Sequence, residues 1–322
     1  MIDVLIVKTS SLGDVVHALP VLSDIQRVYP DWKIAWMVEE SLQALPKLHP
    51  FCAEVIPVAT RRWRKSWLGE ATKQELKQLR SRLKEIQPHY VLDLQGLIKS
   101  ALLARLSPGL HLGYRWGSAR ENLATLLYDQ GFAVSWNQHA VERNRKLAAA
   151  SLGYGIHETP CDYGVFQNSA HTPSKDAILI HSSSWQTKLW PEESWIALGQ
   201  VLSKKGLRCV LPSGSPSEWE RAQRLVQQIP YAIALPPGPL ADCIGHLAGA
   251  HSVVGVDTGL THLATALNLP TVALYRVTDP AATGVFGSDR AINLGGKSGC
   301  PSVDAVLITL TRLGCFSAVE SA

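Results

Sequence analysis

Short apolar runs alternate with stretches of helical period along this chain, and they do so twice. In the first half, Val4 to Val7, Ile34 to Val38, Val55 to Val58 and Tyr90 to Leu94 have the length and apolar content of strands buried on both faces. Between the first two, Val15, Leu19, Leu22, Ile25 and Val28 recur every three or four residues, which predicts a helix ending by Pro30. The polar stretch from Gln167 to Ser174 has turn composition and no period, so a linker is expected at 168–175. The pattern then restarts, with strands at Ala177 to Ile180, Arg208 to Leu211, Ser252 to Val256 and Thr271 to Leu274. Helices are expected near Ser194 to Leu202, Glu218 to Gln228 and Leu260 to Leu267. Alternation of this kind builds βα units around a parallel sheet. The expected architecture is therefore α/β, with two Rossmann-like domains, 1–167 and 176–302, facing a central cleft.

A length of 322 residues fits two such domains, each able to bury its own core. Hydrophobic residues at 46% with charged residues at 18% exclude a disordered or fibrous chain. The net charge of +4 is too small to argue for nucleic acid, and none is expected as a partner. Cys52, Cys161, Cys209, Cys243, Cys300 and Cys315 are scattered without Cys-x-x-Cys spacing, which argues against a zinc site and a secreted disulfide framework and for a reducing cytoplasm. The opening apolar run is too short for a signal peptide. No stretch approaches the roughly 18 apolar residues of a membrane span, so any membrane contact is expected to be peripheral.

Open α/β sheets take ligands beyond the carboxyl ends of their strands, so the residues just after strands matter most. No Gly-x-Gly-x-x-Gly follows the first strand of either half and no P-loop motif occurs, which weakens dinucleotide dehydrogenase and P-loop NTPase readings. After the first strand comes Lys8-Thr9-Ser10-Ser11-Leu12-Gly13-Asp14. Asp14 suits a general base, with small residues such as Ser10 and Gly13 letting an acceptor approach the backbone, and it equally suits a helix cap. Val256-Asp257-Thr258-Gly259-Leu260-Thr261-His262 carries a strand into a helix, a natural seat for pyrophosphate to which the hydroxyls of Thr258 and Thr261 can add donors; an Asp257 N-cap without ligand is the alternative. In the run from His181 to Pro191, Ser182, Ser183, Ser184 and Lys188 form a candidate anion clamp, with a solvated loop lysine as the alternative for Lys188. Arg61-Arg62-Trp63-Arg64-Lys65-Ser66-Trp67 reads as a solvated face, a nucleic-acid groove or a patch for an anionic lipid surface. Asp93-Leu94-Gln95-Gly96 ends a strand, where Gln95 and Gly96 can touch an acceptor or simply make a turn. His139 and Glu142 suit surface or packing positions.

In order and spacing, the Val4 to Val15 segment, the Arg61 to Lys65 patch, Asp93 to Ser100, Lys188-Leu189-Trp190-Pro191-Glu192-Glu193 and Val256 to His262 resemble the ADP-heptose:lipopolysaccharide heptosyltransferases over nearly the whole chain. The basic patch and the Lys-Thr-Ser-Ser opening resemble the members that add the first heptose. The resemblance implies a GT-B fold with an acceptor-binding N-terminal domain and an ADP-heptose-binding C-terminal domain, and a last helix, about 303–320, packed back onto the first. It implies transfer of heptose to the inner Kdo of Kdo-lipid A with inversion, with Asp14 as general base. Donor positions are Ser183, Ser184, Lys188, Glu218, Asp257, Thr258, Gly259 and His262; the acceptor side is Ser10, Gly13, Arg61, Arg64, Gln95 and Arg120. No metal, cofactor or obligate protein partner is implied, and the location is the cytoplasmic face of the inner membrane.

The chain departs from the family where Tyr275-Arg276-Val277-Thr278-Asp279-Pro280 replaces the usual Tyr-Gly-Pro-Thr-Asp-Pro, and Arg276 is expected to contact the donor or cover it. Thr187 stands in place of the family's usual acidic residue before the phosphate lysine, and Ser183 and Ser184 in place of its threonines. Transfer of a second heptose, a sugar-nucleotide epimerase and a non-enzymatic surface-binding module are the competing readings.

Overall fold

The computed structural model of the chain describes residues 2–66, 68–156, 159–165, 174–296 and 299–316. They form two compact units, Met1–Asn168 and Ser169–Ala322. Residues 168–173 of the expected linker lie outside the described residues.

The first unit runs β1 Val4–Val7, α1 Leu12–Val16, α2 Pro20–Val28, β2 Ile34–Glu39, β3 Cys52–Val58, α3 Thr60–Trp63, α4 Glu70–Ile86, β4 Tyr90–Asp93, α5 Ile98–Ala104, β5 Leu110–Tyr114, a 3₁₀ segment Asn122–Leu127, β6 Gln130–Phe132 and α6 Ala140–Leu152. Its six strands lie in the order β3-β2-β1-β4-β5-β6, all parallel. Central β1 is buried throughout, as its unbroken apolar sequence requires. The single helix expected up to Pro30 is two, because Pro20 has no N–H to donate and starts α2 instead of continuing α1. Strands β5 and β6 go beyond the expected set. β5 contains His111, whose ring meets the Asp129 carboxylate at 2.9 Å, and Gly113, where any Cβ would collide with the Tyr128 ring. Neither residue reads as strand.

The second unit runs β7 Asp176–Ile180, α7 Glu192–Lys204, β8 Arg208–Leu211, α8 Pro216–Val226, β9 Ile233–Ala234, α9 Leu240–Ala248, β10 Ser252–Val256, α10 Gly259–Ala266, β11 Thr271–Tyr275, α11 Pro280–Thr283, β12 Ala291–Gly295 and α12 Val303–Arg312. The order β12-β11-β10-β7-β8-β9, again all parallel, is that of the first unit counted from β7. Both are the doubly wound Rossmann order. Strands β9 and β12 were not expected: one has two residues, and the other is a half-buried edge without an apolar run. Helix α12, expected to return to the first domain, is built into the second. Val306 and Leu310 are buried there with Trp195, Leu202 and Leu274, and Trp190 donates its indole N–H to Pro301 O at 2.8 Å. Its apolar face therefore completes this core. Residues 317–320 of the expected helix lie outside the described residues.

Candidate active site

In the first unit the functional residues gather at the carboxyl ends of β1 and β4. Asp14 lies in the first turn of α1, and its Oδ2 accepts the Ser11 N–H and hydroxyl, both at 3.0 Å, while Arg120 Nη1 stands 3.8 Å away. Asp14 is thus both a cap and a candidate base. Oδ1 takes no hydrogen bond among the described residues and is available to a hydroxyl. Burial alone would raise its pKa, but Lys8, the Ser11 N–H, Arg120 and the Ser11 hydroxyl together outweigh that and hold it below the ordinary carboxylate value. Lys8 is itself buried, which lowers its pKa against the pull of Asp14 and Asp93, and its Nζ donates to Leu94 O at 2.8 Å and Asn144 Oδ1 at 3.4 Å.

Gln95 is spent on the loop that carries Asp14. Its Oε1 accepts the Thr9 N–H at 2.8 Å, the Thr9 hydroxyl at 3.1 Å and the Ser10 N–H at 3.3 Å, and its Nε2 donates to Ser10 O. With these bonds Gln95 positions the loop. Its own turn is held by Asp93, buried below it, whose Oδ1 accepts the Gln95 and Gly96 N–H groups and whose Oδ2 accepts the hydroxyls of Ser100 and Tyr128. Lys99 reaches Ser10 Oγ at 3.3 Å. Gly13 lies half-buried within α1. Arg143, stacked on Trp136 at 3.4 Å, also senses the charge of Asp14 and was not foreseen.

The basic patch is less uniform than its sequence. Glu39, buried at the end of β2, accepts the Thr60 N–H and hydroxyl and the Arg61 N–H, fixing the start of α3. Arg62 is engaged by Glu40 and Glu75, and Trp63 is buried with its indole N–H on Glu75 at 2.6 Å. Trp63 is therefore a core residue and not an interfacial one, and Trp67 lies outside the described residues. Arg61 and Arg64 are exposed and bond to none of the Asp14 residues.

In the second unit Asp257, after β10, is the hub. Its Oδ2 pairs with Lys188 Nζ at 2.7 Å and accepts the Thr278 hydroxyl at 2.7 Å; His262 Nε2 lies 3.6 Å from Oδ1. Burial opposes its charge, but His262, Lys188 and Thr278 hold its pKa well below the usual carboxylate range. Ser183 Oγ donates to Asp257 O at 3.4 Å. The N-cap of α10 is Thr258, not Asp257, and Thr258 makes no side-chain cap bond; the Thr261 N–H turns back to Thr258 O at 3.1 Å, and among the described residues the N–H groups of Gly259 and Leu260 stay open to an anion. Thr261 offers no donor to a phosphate: it is buried and its hydroxyl donates to Val256 O at 2.7 Å. Glu218 accepts the Gly214 N–H at 2.7 Å just beyond β8, and neither it nor exposed Ser184 bonds to the Asp257 cluster among the described residues. Arg276 donates to Leu189 O at 2.6 Å, bracing the loop that carries Lys188. Thr278 was missed because nothing in the sequence ties it to Asp257, 21 residues earlier.

Among the described residues no group of three or more His, Cys, Asp or Glu is placed to hold a metal ion, and no helix is long and apolar enough to cross a membrane. Residues 76–305 match the family described as Glycosyltransferase family 9 (heptosyltransferase). Lipopolysaccharide heptosyltransferase 1 of Escherichia coli (strain K12) is 44% identical over 294 residues, 90% of this chain and 92% of that protein. The structure of E. coli heptosyltransferase WaaC with ADP matches with a TM-score of 0.90 at 40% identity, over 97% of this chain and 100% of that one. WaaC with ADP-2-deoxy-2-fluoro heptose matches with a TM-score of 0.87 at 40% identity, over 97% and 99%.

Proposed function

The chain belongs to glycosyltransferase family 9, the heptosyltransferases, and we propose that it moves L-glycero-D-manno-heptose from ADP-heptose to the inner Kdo of Kdo-lipid A. The observation that carries the mechanism is Asp14: an ionised carboxylate with one oxygen unoccupied, just past the central strand, beside the exposed guanidinium of Arg120. In one step the acceptor oxygen forms its bond to the anomeric carbon as the bond to the ADP oxygen breaks with inversion. The hydroxyl proton passes to Asp14 and the electron pair leaves with ADP. A carboxylate of low pKa is a weak base, yet it suffices because the hydroxyl becomes strongly acidic as its oxygen bonds to carbon.

Leaving-group charge falls to the second unit. Lys188, held ready by Asp257, and the open first turn of α10 at Thr258 and Gly259 face the pyrophosphate, with Ser183, Ser184 and His262 alongside. Glu218 takes the nucleoside. Arg61, Arg64 and Arg120 take the phosphates and carboxylates of the acceptor, with Ser10 and Gly13 leaving room at the loop. In this reading the chemistry needs no metal or cofactor, the enzyme needs no obligate protein partner or nucleic acid, and it works as a peripheral protein on the cytoplasmic face of the inner membrane.

The test is to incubate the protein with ADP-heptose in chelator, with and without Kdo-lipid A, and to follow ADP and acceptor mass. Acceptor-dependent ADP release with a gain of one heptose is expected. Turnover of ADP-heptose without acceptor would point to an epimerase or hydrolase, and transfer only to an acceptor already carrying heptose would point to the second-heptose reaction.

A further inference from the structure

Large apolar side chains left in water are usually scattered singly, and a cluster of them calls for a partner. The stretch from 98 to 126 exposes five. Ile98 (37% exposed) and Leu102 (54%) stand one turn apart on α5; Leu123 (57%) and Leu126 (72%) stand three apart on the 3₁₀ segment, where that spacing puts side chains in line; Trp116 (60%) precedes them. The two elements are joined beneath this face by Ala101 and Ala124, small residues that let the backbones come close, packed with Leu127 and Tyr128, and the leucines at 102, 123 and 126 stay outward. Gly117 N–H donates to Asn122 Oδ1 at 2.9 Å, which ties the Trp116 loop to the same face.

The charge around this face is predominantly positive. Between 98 and 126 the chain carries Lys99, Arg105, Arg115 and Arg120 against Glu121 alone. The Glu121 carboxylate accepts the Ile98 N–H at 2.7 Å, Arg105 is paired with Asp129 at 3.0 Å and Arg120 stands 3.8 Å from Asp14, which among the described residues leaves Lys99 and Arg115 beside the apolar side chains without a carboxylate partner. The same stretch reaches the catalytic loop: Lys99 donates to Ser10 Oγ, and Arg120 stands beside Asp14. We infer that the face made by α5 and the 3₁₀ segment rests on an anionic phospholipid bilayer, seating Asp14 at the height of a sugar whose acyl chains stay in the membrane. This rests on the lipid-linked acceptor proposed above. It moves the membrane contact away from α3, where Trp63 is buried and Arg62 is held by Glu40 and Glu75. Leucines that enter the acyl boundary supply the binding area, and the cations supply long-range attraction to the headgroups.

The experiment is vesicle flotation without any substrate, using phosphatidylglycerol–phosphatidylethanolamine vesicles and neutral phosphatidylcholine vesicles, with the full chain and a Leu123→Gln/Leu126→Gln variant. Both side chains are already in water, so the variant should keep its far-UV circular dichroism and melting temperature. Binding of the unaltered protein to the anionic vesicles only is expected, with a loss of about tenfold or more in the variant. Turnover on a deacylated, water-soluble acceptor should not change, while turnover on vesicle-borne acceptor should fall. Equal flotation of protein and variant would overturn the proposal, as would no flotation of the unaltered protein, or a dimer in sedimentation that the variant abolishes with no vesicle binding at all. Flotation that behaves as expected alongside no heptose transfer to either acceptor would leave the surface assigned and remove the substrate reading instead.

Discussion

Asp14 stays ionised inside a largely enclosed loop because Lys8 and Arg120 offset the cost of burying its charge, and Lys8 contributes most. Its lowered pKa means that folding favours the carboxylate. The stability this adds is fully present above the ordinary carboxylate range and is lost as pH falls through the folded value. Base function is lost over the same window. Replacing Lys8 by Met should therefore move the acid limb of the kcat/KM profile to higher pH; a limb at the original position would show that Lys8 does not set the charge of Asp14. Gln95→Ala should leave the Thr9 and Ser10 N–H groups unsatisfied, lowering stability by about 1–3 kcal/mol in urea titration. It should also lower kcat with the KM for ADP-heptose unchanged, since the damage stays in the first unit. At this scale the placement of Asp14, Lys188 and Asp257 in segments that follow strands was legible, and His262 entered through the family resemblance. Lys8 and the strut role of Gln95 were not, since their bonds join positions 85 or more residues apart.

The β10–α10 joint shows how a single glycine sets the course of an element. A Cβ on Gly255 would strike the Thr261 side chain and press on Ile180, so only glycine lets α10 start this close to its strand. Gly255→Ala should cost about 1–3 kcal/mol through overpacking and weaken ADP binding by displacing the first turn of α10. Calorimetric titration with ADP that matched the unaltered protein would contradict this. Elements whose whole length is apolar or periodic were readable from sequence: β1, β2, β4, β7, β8, β10 and β11 fall where expected. Those that failed did so for local reasons. Pro20 splits one periodic stretch into α1 and α2, and β5, β6, β9 and β12 are short or interrupted by glycine and polar residues that tertiary contacts alone make extended.

At the scale of the molecule, the doubled alternation of strands and helices was enough to give two parallel sheets, and the structure adds that they share one strand order. Strand order was not readable, because crossover helices of similar length are compatible with several orders. The apolar positions of α12 fit any core, so its place was not readable from sequence, and here Val306 and Leu310 close the second. Two sheets of the same order carry different chemistry at their strand ends, a carboxylate with one oxygen open in one unit and a lysine–carboxylate pair beside an open helix terminus in the other. That division of labour is tested by measuring kcat for heptose transfer and the Kd for ADP-heptose side by side in Asp14→Asn. The base assignment requires kcat to fall by about 10²–10⁴-fold with the Kd unchanged; turnover near that of the unaltered enzyme would mean that Asp14 is only the cap of its helix.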